Sequence, residues 1–265
     1  MRDDCSGSTE VPRRFHRTAD LIGRRAFARL RRAAITVVGL GGVGSHAAVA
    51  LARAGVGELT LVDFDAITAT SLNRHAVAGP ADVGESKARA LADAIARLCP
   101  DTRAAPVELF FHDDTARVVL DPPRRPDLVI DAIDSLAPKA ALIAGCAARA
   151  LPTITSLGAS ARTDPSLVRV DPLDRTRGCP LGKQLRKRLR NRRVDMRPVT
   201  AIYSVEPARP PLPPDLDDGW LERGRGRVRH QLPSLPTLPG IFGYAAANAA
   251  IERLVGLGGE DEEST

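Results

Sequence analysis

A doubly wound α/β fold, with a mostly parallel sheet covered by helices on both faces and a C-terminal extension, is the architecture this sequence predicts. Three observations carry that expectation. Short apolar runs alternate with stretches of helical periodicity, a glycine-rich turn joins the first run to the helix after it, and acidic residues at 63 and 131 close the second and fourth runs on one sheet edge. With 43% hydrophobic and 26% charged residues, 265 residues can bury a full core, which excludes a disulfide-stapled miniprotein and a disordered chain. Aromatics are only 3%, so the core must be built from Ala, Val, Leu and Ile.

Residues 18–32 read as one amphipathic helix, with Leu21, Ile22, Phe27 and Leu30 at roughly helical spacing among arginines. Residues 34–40 form an apolar strand, followed by the glycines, a helix over 45–54, a stop at 55–57 and a second strand, 59–62, that ends at Asp63. A loop over 64–80 leads to a helix at 86–98, a strand near 105–109, a polar connection and a strand at 128–130. The helix 138–150 and the strand 153–156 continue the alternation. Beyond residue 160 the pattern loosens to a strand at 167–170, a helix at 181–190 and a strand at 199–205. Residues 207–239, rich in proline and glycine, read as an irregular surface loop before a small-residue helix at 242–254. The expected organisation is a loose tail over 1–12, one domain over 13–257 and an acidic tail over 258–265.

The longest apolar stretch, 241–251, is too short for a membrane span and contains Asn248. The N-terminal segment has acidic residues and no apolar core, so it does not read as a secretory signal, and a cytoplasmic protein is expected. Cys5, Cys99, Cys146 and Cys179 are far apart with no C-x-x-C pair, so neither a zinc site nor a disulfide framework is written here. The formal charge of +6 comes from 38 basic residues of which four are lysines.

The run VVGLGGVGS places Gly39, Gly41, Gly42 and Gly44 between strand and helix, as in a Rossmann-like dinucleotide fold, where missing side chains let backbone amides approach phosphates. Tight strand-to-helix packing is the alternative use of such glycines. Asp63, about 20 residues on, ends the next strand where a carboxylate can accept ribose hydroxyls. Asn73 and Arg74 follow in the next loop and Lys87 opens the following helix. Cations converging on one crevice suit a triphosphate better than a pyrophosphate, although each alone is also an ordinary surface charge. At the end of the fourth strand, DAIDS offers Asp134 as a magnesium-binding carboxylate with Asp131 in support; the other reading is a helix cap by Asp134 or Ser135.

Taken together, GLGGVGS, LVDFD, LNRH, GESKA and DAIDS closely resemble the E1-like adenylyltransferase superfamily, which activates carboxylates with ATP. Within it, RFHRTADLIG, DAIDSLAPKAALIAGC, CPLGKQLRKRL and AIYSVEP resemble the bacterial tRNA threonylcarbamoyladenosine dehydratase branch, over about residues 13–257. The resemblance implies ATP packed on Gly42 and its neighbours, ribose on Asp63, phosphates on Asn73, Arg74 and Lys87, and Mg2+ at Asp134. It also implies a homodimer in which Arg17 reaches the partner's nucleotide. Sulfur-transfer proteins are a further implied partner, but the cysteine some dehydratases carry before the C-terminal helix is missing from SLPTLPGIFGYAAAN. Cys179, the one cysteine expected in a surface loop, reads as a bystander thiol rather than a nucleophile.

KQLRKRLRNRR packs seven basic residues into eleven, while Leu181, Leu185 and Leu189 repeat every fourth position and would seat one face on the core. Lys183, Arg186, Lys187, Arg190 and Arg193 on the other face could track an RNA phosphate backbone; a solvated helix in an arginine-rich chain is the competing reading. The expected activity is therefore ATP-dependent cyclisation of threonylcarbamoyladenosine in tRNA through an acyl-adenylate. Activation of a small sulfur-carrier protein is the alternative within the superfamily. A nicotinamide-dependent oxidoreductase shares the glycine loop alone.

Overall fold

The structure, a computed structural model, describes residues 10–209 and 232–256 together with two short strands, Arg223–Gly224 and Arg227–Val228. The chain order is α1 (His16–Ile22), α2 (Arg24–Arg32), β1 (Ala34–Val38), α3 (Gly42–Ala54), β2 (Glu58–Val62), α4 (Lys87–Leu98), β3 (Arg103–Val107), α5 (Ala116–Leu120), β4 (Leu128–Asp131), α6 (Leu136–Ala147) and β5 (Thr153–Ser156). It continues with β6 (Val168–Pro172), α7 (Pro180–Asn191), β7 (Thr200–Ser204), the two short strands and α8 (Thr237–Val255). Seven strands form one sheet in the order β3-β2-β1-β4-β5-β7-β6, parallel except for β6 against β7.

The apolar runs make central strands because both faces of the sheet are covered. Ile35, Val37, Leu128, Ile130, Ile154 and Ile202 pack into one cluster with residues of α3, α4 and α8. Their strand neighbours Val38 and Val129 turn the other way, toward α5 and α6, and Ala201 and Tyr203 pack with α6 and α7. The strand order reverses between β1 and β4, and the crevice at such a switch point, outside the carboxyl ends of the strands, is where an open α/β sheet receives a ligand.

Several boundaries differ from the sequence expectation, each for a local reason. The helix read over 18–32 is two helices, because Gly23 sits at φ +84° between α1 and α2. β1 stops at Val38 rather than residue 40, and α3 begins at Gly42 rather than 45, so two of the glycines belong to the helix itself. β3 lies two residues earlier than expected, as an edge strand that tolerates Pro106. The polar connection after it holds α5, α6 runs over Leu136–Ala147 instead of 138–150, and α8 starts at Thr237, inside the segment read as loop. Most of that loop, 210–231, and the acidic tail lie outside the described residues apart from the two short strands. Small residues let α8 lie almost on α3: a Cβ at Gly243 would come within 2.5 Å of the Val43 carbonyl oxygen.

At the carboxyl end of β4, Asp131 and Lys139 form an ion pair of 2.7 Å in which neither side chain is exposed. Thr155 of β5 donates to the same Asp131 oxygen at 2.7 Å and accepts from Lys139 at 3.1 Å, while the Ile133 amide donates to the other oxygen at 3.1 Å. Burial pushes the Asp131 carboxyl up, and Lys139, Thr155 and the Ile133 amide oppose that rise. One buried cluster thereby fastens β4, β5, α6 and the turn that leads to Asp134. Lys139→Met should cost about 3–5 kcal/mol in urea unfolding by leaving a buried carboxyl without its cation. The double change Asp131→Asn/Lys139→Met should recover part of that loss.

Candidate nucleotide-binding site

The glycine loop has two physical jobs, divided among its residues. At Gly39, with φ +89°, a Cβ would lie 2.8 Å from the Ala132 carbonyl carbon, and at Gly44 it would lie 1.8 Å from the Gly39 carbonyl oxygen. Those two serve close packing, the loop against the turn after β4 and against its own helix. Gly41 is different: it is the N-cap of α3, no side chain caps that helix, and a Cβ there would meet nothing within 4 Å. Amides of an uncapped first turn, open on one side, form an anion site. Gly42 adds a contact, since a Cβ on it would come 2.9 Å from Pro239 Cβ and 3.1 Å from Arg74 Cγ. Its missing side chain lets the Arg74 stem lie across the start of α3.

Arg74 is half-buried, and its guanidinium donates to the Thr70 carbonyl at 2.7 Å and to Asn73 Oδ1 at 3.0 Å. Asn73 spends its amide nitrogen on the Ser234 carbonyl at 3.1 Å, so it braces the loop against the segment before α8. Asp63 is buried and joins β2 to the glycine loop: Oδ2 accepts from the Leu40 amide at 2.6 Å and Oδ1 from the Asp65 amide at 2.9 Å. Burial pushes its carboxyl up, against lowering by Lys87 and the two amides. Lys87 opens α4 and lies 2.9 Å from Asp65, with its own side chain only 13% exposed. Asp134 is exposed in the turn after β4 and accepts from the Ser135 hydroxyl at 3.2 Å; Ser135, not Asp134, is the N-cap of α6.

The fold therefore brings Gly41, Gly42, Asp63, Arg74 and Lys87 to one rim, with Asp134 on the neighbouring strand end. Arg17 is not among them. It is exposed on α1, and Phe15, just before that helix, packs at Gly55 on the far end of α3. Lys183, Lys187, Arg190 and Arg193 are exposed on and beside α7, whereas Arg186 turns inward to donate to Thr176. Cys179 is a correction: it is 4% exposed and forms the N-cap of α7 instead of lying in a surface loop.

Two rim features escaped sequence reasoning. Phe64 and Phe110, at the ends of β2 and β3, meet edge to face at 4.8 Å and 83° while remaining 51% and 43% exposed. Beside a ribose-type carboxylate, exposed rings offer a face for a flat heterocycle; the signal was their position directly after strand ends. The second feature is His75, beside Arg74. It is buried, and its Nδ1 accepts from the Val77 and Ala78 amides at 3.4 and 3.1 Å, which leaves the proton on a buried Nε2 that has no partner among the described residues.

Burial, followed by the nearby charges of Lys87 and His46, brings the His75 pKa from 6.5 down to about 4. The unfolded chain then takes up this proton first, so stability is full above pH 6.5 and declines as pH falls toward about 4. His75→Gln should flatten that decline by about 2–3 kcal/mol, read from urea titrations across the window.

The residues that can meet a nucleotide are thus an open helix N-terminus, a ribose-type carboxylate, two cations and a further carboxylate. Comparisons with known proteins identify the family. The ThiF family model matches residues 15–265. The chain is 42% identical over 178 residues to a tRNA threonylcarbamoyladenosine dehydratase of Escherichia coli, a match covering 67% of this chain and 66% of that protein. It is 31% identical over 236 residues to the protein of the same name from Haemophilus influenzae, covering 87% and 88%. Among solved structures, that of the E. coli tRNA N6-threonylcarbamoyladenosine dehydratase in complex with ATP superposes with a TM-score of 0.79 and 33% identity, covering 92% and 94% of the two chains. With its glycine loop, strand-end carboxylates and rim cations in this order on this sheet, the chain belongs to the ThiF family.

Proposed function

We propose that this protein is an ATP-dependent tRNA threonylcarbamoyladenosine dehydratase. The observation that carries the reading is that Arg74, Lys87 and the uncapped start of α3 stand on one rim, in a chain whose relatives bear that name over most of their length. ATP lies with its phosphates at Gly41 and Gly42, its ribose at Asp63 and its base against Phe64. Arg74 and Lys87 neutralise the polyphosphate, and Asn73 holds the Arg74 loop in place. Mg2+ is held by phosphate, water and one or two carboxylates, and Asp134 is an exposed carboxylate in the turn after β4. Asp134 would hold it, and the ion would add positive charge beside the phosphates.

An oxygen of the substrate's threonine carboxylate attacks the α-phosphorus, and pyrophosphate leaves. A nucleophilic atom of the neighbouring carbamoyl group then attacks the acyl carbon, closing a ring and expelling AMP, which departs with one of the former carboxylate oxygens. Water is lost overall. Adenylation is needed because oxide is a poor leaving group; ring closure is fast because the attacking atom is tethered beside the carbon. The protein positions groups and neutralises charge, with no covalent nucleophile of its own.

The exposed cations Lys183, Lys187, Arg190 and Arg193 track the tRNA backbone, while Arg186 is committed to Thr176. Residues 13–257 act as one unit. Arg17, exposed on α1, would serve the nucleotide of a second copy in a homodimer. The described cysteines, Cys99, Cys146 and Cys179, are all buried, so a sulfur-transfer partner has no exposed thiol among them to meet. No described helix is long and apolar enough to cross a membrane. Activation of a sulfur carrier is the weaker reading; pyrophosphate exchange stimulated by such a carrier and not by tRNA would favour it.

Modified tRNA incubated with the protein, ATP and Mg2+ should yield a nucleoside lighter by one water in mass spectrometry. Arg74→Ala and Asp134→Ala should each abolish AMP formation without loss of fold, read by AMP release and circular dichroism; unchanged turnover in both would remove them from the site. Lys187→Glu/Arg190→Glu should weaken tRNA binding by about tenfold at low salt, with a shallower salt dependence and unchanged ATP affinity.

A further inference from the structure

The basic helix α7 is anchored at both ends to loops on the carboxyl edge of the sheet. Near its start a Cβ on Gly182 would come 2.7 Å from Leu157 Cδ1, the residue just past β5. At its end Arg192 donates through both terminal nitrogens to the two carboxylate oxygens of Asp113, at 3.2 Å each, in the connection after β3. The 12 residues of α7 measure about 18 Å, close to the four inter-strand spacings, about 19 Å, that separate β5 from β3. Leu185 and Leu189 are buried beneath it while Lys183, Lys187 and Arg190 stay exposed, so a line of cations follows the edge that carries the nucleotide rim.

That line ends on aromatic rings. His112, beside Asp113, has its side chain 45% exposed, and its ring lies 6.2 Å from that of Phe110 with the planes tilted by 34°, so one flat base can meet both. Of the six phenylalanines, Phe15, Phe27, Phe111 and Phe242 are buried; the two exposed ones, Phe64 and Phe110, meet here. Their planes stand at 83°, so a base stacked on Phe64 leaves the Phe110 face open. The pair is held in advance of any ligand: the Phe110 carbonyl accepts from the Thr115 hydroxyl at 3.1 Å and His112 Nδ1 from the Asp114 amide at 3.2 Å. Glu108 and Asp113 are paired with Arg89 and Arg192, whereas Asp114 is exposed beside His112, which leaves α7 as the side for phosphates. Cations that follow a backbone, joined to rings that take a base, are the means by which proteins hold single-stranded nucleic acid. We propose that Phe110 and His112 seat an unpaired base of the substrate RNA whose backbone follows α7. The inference rests on the reading of tRNA as substrate and adds where a base, as distinct from a phosphate, is held.

Binding of short single-stranded oligoadenylate to the full chain tests it, against an abasic ribose-phosphate oligomer of the same length. F110L keeps an apolar contact for Phe64, and H112N keeps an acceptor for the Asp114 amide; both remove a ring. The double variant F110L/H112N should weaken oligoadenylate binding by about tenfold and leave the abasic oligomer within about twofold. A 2-aminopurine in the oligomer should be quenched on binding to the parent and stay bright on the variant. Equal weakening of both oligomers would overturn the seat, because the rings would then act through the fold or the backbone path. Weaker ATP binding with unchanged RNA binding would assign Phe110 to the base of ATP and overturn it as well. The reaction is read separately, by loss of water from modified tRNA. A parent protein that dehydrates tRNA yet binds both oligomers alike would keep the activity and lose the seat, whereas base-dependent binding without dehydration would keep the seat and remove the reaction.

Discussion

The buried pair of Lys139 and Asp131 is the constraint on which the rim is built. A carboxylate and an ammonium with no exposure at all are expensive to remove from water, and the cost is met only because every strong partner is present: cation, hydroxyl and backbone amide. What that arrangement secures is geometry. Asp131 ends β4, Thr155 belongs to β5, Lys139 to α6, and the Ile133 amide shapes the turn that carries Asp134. The same turn offers Ala132 as the floor on which Gly39 rests. Carboxylate and glycine loop are thus registered to each other through one turn.

From that registration the electrostatics follow. The glycine loop contributes an open helix terminus, Arg74 is laid over it by the small volume of Gly42, and Lys87 is held near by Asp65. Asp63 looks from sequence like a ligand group alone, but it also works as mortar, accepting amides from both Leu40 and Asp65. A site whose ligand-facing groups are fixed by the protein beforehand loses little freedom when a charged substrate arrives.

Much of this was legible in the residues. Parallel strands buried on both faces leave unbroken apolar runs, and the glycine turn, Asp63 and Asp134 fall at strand ends where the alternation puts them. What stayed hidden depends on contacts that no periodicity reports. A lysine within an alanine-rich helix reads as exposed, yet Lys139 is buried because Asp131 and Thr155 face it across the sheet edge. Arg186 shares a basic stripe with its neighbours but is turned inward by Thr176 on a preceding turn. Gly23 breaks a helix whose apolar spacing continues across it, because its φ of +84° is a backbone property and leaves the side-chain pattern untouched. Phe64 and Phe110 are far apart in sequence and become a pair only through the pairing of β2 with β3.

The near-contact of α8 with α3 has a consequence for how the protein is made. Pro239 and Gly243 press on Gly42, Val43 and His46, so the wall over the first turn of α3 is supplied by α8, far downstream in the sequence. During synthesis the ribosome releases the glycine loop, Asp63, Arg74, Lys87 and Asp134 well before that wall. A nascent polypeptide lacking α8 would hold these charged groups on a half-covered surface, and the rim would be complete only once α8 had emerged.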